Sequence, residues 1–396
     1  MAPKVREAER MKRIHLSGIR KVVEKVAELE RKGLEIIHME IGRPDFDTPS
    51  HIKEAAKKAL DEGFVHYTAS IGIPELREAI AEKLSRDNGM RIDPDRELIV
   101  TLGANEAVFL CMMGLLNPGD EVLVPEPMFV YYADWGEFAG AKTVSVPLRE
   151  EESFRLRPED IERCVTPKSR MLILNSPHNP TGTVLDMETL AGIAEVAKKY
   201  DLLVLSDEVY EKMVYDGAKH FSIASFPGMN DRTLTINGFS KAFSMTGWRL
   251  GYVVANPDLM SALLKVHQHA VVCPVSFAQK GAVAALTESQ ECVGEMVREF
   301  DRRRKLVMKR LSEMEGVKVV RPQGAFYVFP SVKGLGKSSQ EIADYLLEEA
   351  RVAVVPGSAF GSSGEGYIRI AYSTSYHNLE EGLSRMKKAL AELSSQ

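Results

Sequence analysis

Between Gly18 and Lys32, apolar residues fall at Ile19, Val22, Val23, Val26 and Leu29, with charged or polar residues between them. That spacing marks one face of a helix. A short run, Ile36–Ile41, follows, and then "GRPDFDTP", a loop built of turn formers. From His51 onward two textures alternate. Helical spacing predicts helices over Ile52–Asp61, Pro74–Asn88, Asn105–Leu116, Met187–Tyr200 and Asp258–His269. Strand-like runs occupy Leu98–Thr101, Glu121–Val124, Thr143–Val146, Met171–Leu174, Leu202–Leu205, Thr233–Ile236 and Leu250–Val254. Runs such as "MLIL" and "LLVL" are apolar throughout, which predicts a sheet covered on both faces. Alternating elements of this kind predict an α/β fold with a mainly parallel sheet.

After about Glu288 the texture changes. A long charged helix, Gln290–Met314, precedes Val317–Val320 and Gly324–Phe329, which read as antiparallel strands. A helix over Gln340–Ala350, two short strands and a helix from Asn378 complete the chain. The expected organisation is a large domain over 51–288 and a smaller α+β domain over 289–396, with residues 1–50 packing on the latter. "RRRK" at Arg302–Lys305 lies in a helix that also carries Glu295, Glu299 and Asp301, so it reads as a solvated face.

Composition narrows the function without choosing it. The chain has 396 residues, 44% hydrophobic and 27% charged, with a formal net charge of -5. No basic field points to nucleic acid. Four scattered cysteines (Cys111, Cys164, Cys273, Cys292) suit neither a disulfide framework nor a zinc site, so no metal is expected. The charged N-terminus lacks a signal-peptide core, and no apolar stretch is long enough to span a membrane. The expectation is a cytoplasmic enzyme.

Four stretches begin at strand ends: "TLGANEAV" from Thr101, "NSPHNPTG" from Asn175, "SDEVYEKMVYD" around Asp207 and Tyr210, and "NGFSKAFSMTGWRLGY" with Lys241 and Arg249. In a parallel sheet such ends share one rim, where α/β proteins place their chemistry. A helix N-terminus and an arginine favour phosphate. A lysine desolvated near a cation can form a Schiff base with an aldehyde. A carboxylate can keep a heteroaromatic nitrogen protonated. Phosphate, aldehyde and ring nitrogen together describe pyridoxal 5'-phosphate. Each residue alone has an ordinary explanation: a surface lysine, an N-cap aspartate, a core tyrosine, a structural ion pair. The ordered set does not.

These motifs resemble those of the class I/II pyridoxal-phosphate aminotransferases of fold type I, nearest the bacterial and archaeal aspartate and aromatic branch. The similarity runs from "IGRPDFDTP" to "GYIRIAYSTS". It implies that Lys241 holds the cofactor aldehyde and later carries the proton between Cα and C4', with Asp207 facing the ring nitrogen. Tyr210 and Asn179 would bond the phenolic oxygen, and Phe129 would stack on the ring. Gly103, Ala104, Asn105, Ser240 and Arg249 would receive the phosphate, joined by Tyr67 from the neighbouring subunit of a homodimer. Arg369 would clamp the substrate α-carboxylate, assisted by Gly42 and Asn179. Asn105 stands where aspartate-type relatives carry lysine, which weakens an aspartate-specific reading.

The reaction so implied is a ping-pong transfer of an amino group from an L-amino acid (aromatic, aspartate or another) to a 2-oxo acid such as 2-oxoglutarate. The alternative is a C–S β-lyase on the same fold. A ligand sensor carrying a DNA-binding domain is disfavoured, since only about 40 residues precede "GRPDF". A dinucleotide dehydrogenase lacks its G-x-G-x-x-G. Arg43 and His178 are left without a firm role, and Tyr131, Tyr132 and Trp135 read as packing residues.

Overall fold

The computed structural model describes residues 7–394 except 15, 17 and 130. The amphipathic stretch after Gly18 is helix α1 (Gly18–Arg31), buried at Val26. The run behind it narrows to a two-residue strand, β1 (Ile37–His38). Helices α2 (Ser50–Asp61) and α3 (Pro74–Asn88) lead into the main sheet.

All seven expected runs form strands of that sheet. They are β2 (Leu98–Thr101), β3 (Glu121–Glu126), β4 (Lys142–Pro147), β5 (Ser169–Asn175), β6 (Leu203–Asp207), β7 (Thr233–Gly238) and β8 (Gly251–Val254), in spatial order β2-β8-β7-β6-β5-β3-β4. Pairing is parallel from β4 to β7, while β8 lies antiparallel between β7 and β2. Alternate side chains enter opposite layers. Met171 and Ile173 pack with α4 (Ala104–Leu115), whereas Leu172 and Leu174 pack with α7 (Met187–Lys199).

Several strands outrun their apolar stretch. β5 ends on Asn175, β6 on Asp207 and β7 on Gly238, because the ladder pairs main chain and tolerates polar side chains at its end. Asn175 stands opposite Asp207, Asp207 opposite Ile236, and Gly251 opposite both Gly238 and Thr101. The four chemistry-bearing stretches therefore do meet at one rim.

Three helices escape the periodicity reading: α5 (Tyr131–Phe138), α6 (Pro158–Cys164) and α9 (Ser276–Thr287). The first two are short. In α9, small and apolar residues face almost every direction, since the helix is wedged between α2 and α3, and no polar face marks its period. α8 (Pro257–Ala270) covers the same face as α4.

The C-terminal part of the chain opens with α10 (Glu291–Leu311) and contains α11 (Ser339–Glu349) and α12 (Tyr376–Ser394). Its sheet is smaller than expected. Val317–Val320 forms no strand and contributes one bridge, Lys318 to Ser331. The regular pairs are β9 (Tyr327–Val328) with β12 (Ile368–Ala371), and β11 (Val355–Pro356) with β12. β1 pairs in parallel with β10 (Val352–Ala353).

The "RRRK" face is half buried rather than solvated. Arg303 reaches Asp45 at 2.7 Å, and Arg304, 1% exposed, grips Asp216 and Asp301. Charge within a helix face is compatible with burial when each guanidinium meets carboxylates. No helix among the described residues is long and apolar enough to cross a membrane.

Candidate active site

A cavity of about 550 Å³ opens at the rim where β5, β6 and β7 end, beside Tyr327 of β9 and Arg369 of β12. It is lined by Lys241, Asp207, Tyr210, Asn179, Ala104, Asn105, Phe129, Ser240, Arg249, Gly42 and Arg369. Gly103 stands directly behind, as the N-cap of α4. Tyr67 is the exception: its side chain is 85% exposed, outside the cavity of its own chain.

The lysine is aimed inward. Lys241 Nζ donates to the Gly42 carbonyl at 2.6 Å and lies 5.6 Å from the ring centres of Tyr210 and Phe326. The residue is only part-buried because one flank faces the open cavity, yet its charge is enclosed by protein. That burial, with the Arg369 guanidinium adding repulsion, pushes the ammonium down to about 8, against a smaller pull from Asp207.

Asp207 is 6% exposed. Its Oδ2 accepts the Tyr132 hydroxyl at 2.7 Å and its Oδ1 the Val209 N–H at 3.3 Å. Burial outweighs both bonds and raises the carboxyl to about 6. The Asn175 amide donates to the Asp207 carbonyl at 3.0 Å, fixing the strand end that carries it. Tyr132 thus holds the aspartate instead of merely packing. Behind Asp207, the ligand-type atoms of Glu208, Glu211 and His220 come within 4.8 Å of one another, and the Lys83 ammonium is paired with Glu211 in that cluster.

Arg369, 2% exposed, projects from β12. Its Nη1 donates to Asn179 Oδ1 at 3.2 Å and its Nη2 to the Glu40 carbonyl at 2.5 Å, while Nε has no partner among the described residues. Tyr327 and Phe360 lie beneath the guanidinium at 4.6 and 5.1 Å. Its hydrogen-bond partners among the described residues are neutral oxygens, and the buried Glu40 carboxylate acts on it only at a distance, so the guanidinium face toward the cavity can receive an anion.

A second anion seat forms where β2 turns into α4. The first amides of a helix have no carbonyl partner within it. Gly103 has φ 79°, and a Cβ there would come within 2.6 Å of Arg249 Nη2. Gly251 allows the turn to approach: its Cβ would come within 2.7 Å of the Gly103 carbonyl carbon. Arg249, itself at φ 54°, is folded back by a bond from Nη1 to the Thr246 carbonyl at 2.9 Å.

The remaining wall is aromatic. Phe129 meets Tyr131 and Tyr132 edge-on at 5.0 and 5.6 Å, and Trp135 Nε1 donates to Asn105 Oδ1 at 3.3 Å. Tyr131 and Trp135 line the cavity. Tyr327, overlooked in the sequence, places its hydroxyl 2.8 Å from that of Tyr210. Arg20 and Arg43 stand at the mouth. His178 lies elsewhere: its Nδ1 is 2.8 Å from Thr181 Oγ1, and burial pushes the imidazole down to about 3. It is a neutral ring that holds its loop together.

The donor set fits pyridoxal phosphate. A cradle of helix amides and a guanidinium suits a phosphate, a partly neutral amine suits an aldehyde, and a buried carboxylate suits a pyridinium. Residues 35–386 match the model of the family described as aminotransferase class I and II. An aspartate aminotransferase of Pyrococcus abyssi is 50% identical, over 97% of this chain and 98% of its own. An aromatic-amino-acid aminotransferase of Thermococcus litoralis is 49% identical, over 97% and 98%. The crystal structure of an aromatic aminotransferase from Pyrococcus horikoshii superposes with a TM-score of 0.89 at 50% identity, covering 94% of this chain and 99% of that one. The chain belongs to the class I and II aminotransferases.

Proposed function

We propose that this protein uses pyridoxal phosphate to move an amino group from an L-amino acid to 2-oxoglutarate, working as a cytoplasmic homodimer. The observation that carries the reading is Arg369, a buried guanidinium that makes no ion pair among the described residues, in one cavity with a low-titrating lysine and a buried aspartate. When bound, the cofactor supplies an aldehyde carbon and a ring that accepts electron density from the substrate Cα. Gly103, Ala104, Asn105, Ser240, Arg249 and the neighbouring subunit's Tyr67 would hold its phosphate. Asp207 would keep its ring nitrogen protonated, Tyr210 and Asn179 would bond its phenolic oxygen, and Phe129 would cover its face.

The chain's own groups do the rest. Arg369 and Asn179 orient the substrate carboxylate, which points Cα at Lys241. With its ammonium at about 8, Lys241 is roughly one-tenth neutral at pH 7, far more than an ordinary lysine, and can take the Cα proton. Gly42 aims that amine through its carbonyl. Donor and acceptor each bring an α-carboxylate, and a single clamp serves both. They must therefore bind in turn, which gives ping-pong kinetics. The aromatic wall of Phe129, Tyr131 and Trp135 suits an aromatic donor, and Arg20 and Arg43 at the mouth suit a second carboxylate. Residues 1–50 and 289–396 form the smaller lobe in this reading and 51–288 the larger, a division supported by the β1–β10 pairing.

Initial rates with phenylalanine, tyrosine or aspartate and 2-oxoglutarate test the reading: parallel double-reciprocal lines are expected, and intersecting lines contradict it. Pyruvate and ammonia released without an oxo acid would favour the C–S β-lyase instead. Arg369→Lys, which loses the planar fork, raises KM for donor and acceptor alike by roughly 100-fold. A change confined to one substrate would separate their binding sites. Mixing Lys241→Ala with Tyr67→Ala chains forms hybrid dimers with one intact site, so activity should return to about a quarter of the wild-type level. No recovery in confirmed hybrids would rule out the shared phosphate site.

A further inference from the structure

The buried ring of His267 has partners on both edges that the chemistry above does not use. His267 lies in the last turn of α8 and is 0% exposed. Its Nδ1 stands 2.7 Å from Glu106 Oε1, and its Nε2 stands 2.7 Å from the Ser70 carbonyl oxygen. A carboxylate and a carbonyl only accept. Nε2 therefore donates to the Ser70 carbonyl, and a proton between Nδ1 and Glu106 Oε1 completes the second hydrogen bond.

Each partner leads to a different part of the site. The other oxygen of Glu106, Oε2, accepts the Leu102 N–H at 2.5 Å, at the start of the turn through Gly103 into α4. Ser70 belongs to the loop that carries Tyr67. That loop is held from its other side by Gln279, whose Nε2 donates to Thr68 Oγ1 at 3.1 Å and whose Oε1 accepts the Ile73 N–H at 2.9 Å. One residue of α8 thus grips both the phosphate-receiving turn and the loop whose exposed tyrosine leaves its own chain.

We infer that Leu102, Glu106, His267 and Ser70 form a positioning relay that couples cofactor retention to subunit pairing. This rests on the cofactor and dimer proposed above. His267 touches neither reacting partner. It acts by keeping the turn and the loop in one arrangement, so that ordering either one steadies the other, and such coupling is reciprocal. Cofactor binding tightens the dimer, and dimer formation slows cofactor loss.

Glu106→Gln can preserve the path without its charge. The carbonyl of the introduced amide would accept from the Leu102 N–H, and its NH₂ would donate to Nδ1 of a neutral ring. The ring's Nε2–H would still reach Ser70. Glu106→Ala and His267→Ala break the path. The measurements are cofactor release from holoprotein, followed by its absorbance, and subunit dissociation with and without cofactor, by sedimentation over a concentration series. Both alanine variants should release cofactor about 10-fold faster and raise the dimer dissociation constant about 10-fold, the loss expected for buried hydrogen bonds. Glu106→Gln should stay within about 2-fold of wild type on both.

Wild-type release from His267→Ala overturns the relay, as does faster release with unchanged pairing. A Glu106→Gln variant as impaired as Glu106→Ala also overturns it, since charge and not the hydrogen-bond path would then matter. If His267→Ala does not fold, the two Glu106 variants decide. A wild-type protein that takes up no cofactor, or stays monomeric with it, fails the underlying reading and the relay with it.

Discussion

Lys241→Ala lowers kcat for transamination by about 10,000-fold, the upper end of what a positioned proton carrier contributes. The substrate-carboxylate contacts of Arg369 and Asn179 do not involve the lysine amine, so donor binding survives while turnover is lost. Adding a small primary amine restores part of the rate, because solution then supplies the missing proton carrier. The check is steady-state kinetics beside a binding titration of the donor. Loss of binding in step with kcat would show that the lysine holds the site together and does not move the proton.

Asp207→Asn produces opposite effects on activity and stability. The folded carboxyl titrates at about 6 against an ordinary 3.8, so between those values the folded chain binds more protons than the unfolded one. Stability is then full below about 3.8 and declines as pH rises through 6, and at pH 7 the cofactor-free protein carries the whole cost. That cost is on the order of 2–3 kcal/mol. Asparagine can keep both contacts, accepting from Val209 and donating to the Tyr132 oxygen, without the buried charge. The stripped variant should melt roughly 2–4 °C higher at pH 7, with the gap closing by pH 4. With cofactor, kcat should fall about 100- to 1,000-fold, the loss typical when one aimed electrostatic group is removed. A variant melting at or below wild type at pH 7 would mean that the aspartate is not held charged against its burial.

The main sheet was legible because a strand buried on both faces is largely apolar, and runs such as Met171–Leu174 and Leu202–Leu205 were apolar throughout. Its polar ends were not, since Asn175, Asp207 and Gly238 are held by main-chain pairing that leaves no mark on side chains. Helix α9 was hidden for the inverse reason: buried nearly all round, it has no polar face to set its period. Lys241, Asp207, Asn179 and Arg369, the residues proposed to carry the chemistry, stood in ordered motifs, which made their convergence on one cavity legible. Their supports were not legible. Tyr132, Tyr327 and His267 act through contacts 75, 117 and 161 positions away along the chain, and nothing in their neighbours announces the partner. Arg303 and Arg304 show the same limit, because a charged helix face reads as solvated until its carboxylates arrive from Asp45 and Asp216.

Borohydride reduction of the protein loaded with pyridoxal phosphate, followed by peptide mass spectrometry, tests most directly the claim that one amine and one carboxylate frame this cofactor. The account predicts a phosphopyridoxyl increment on the peptide containing Lys241, and its loss from Lys241→Ala. An unmodified Lys241, or an equal increment on another lysine, would contradict it.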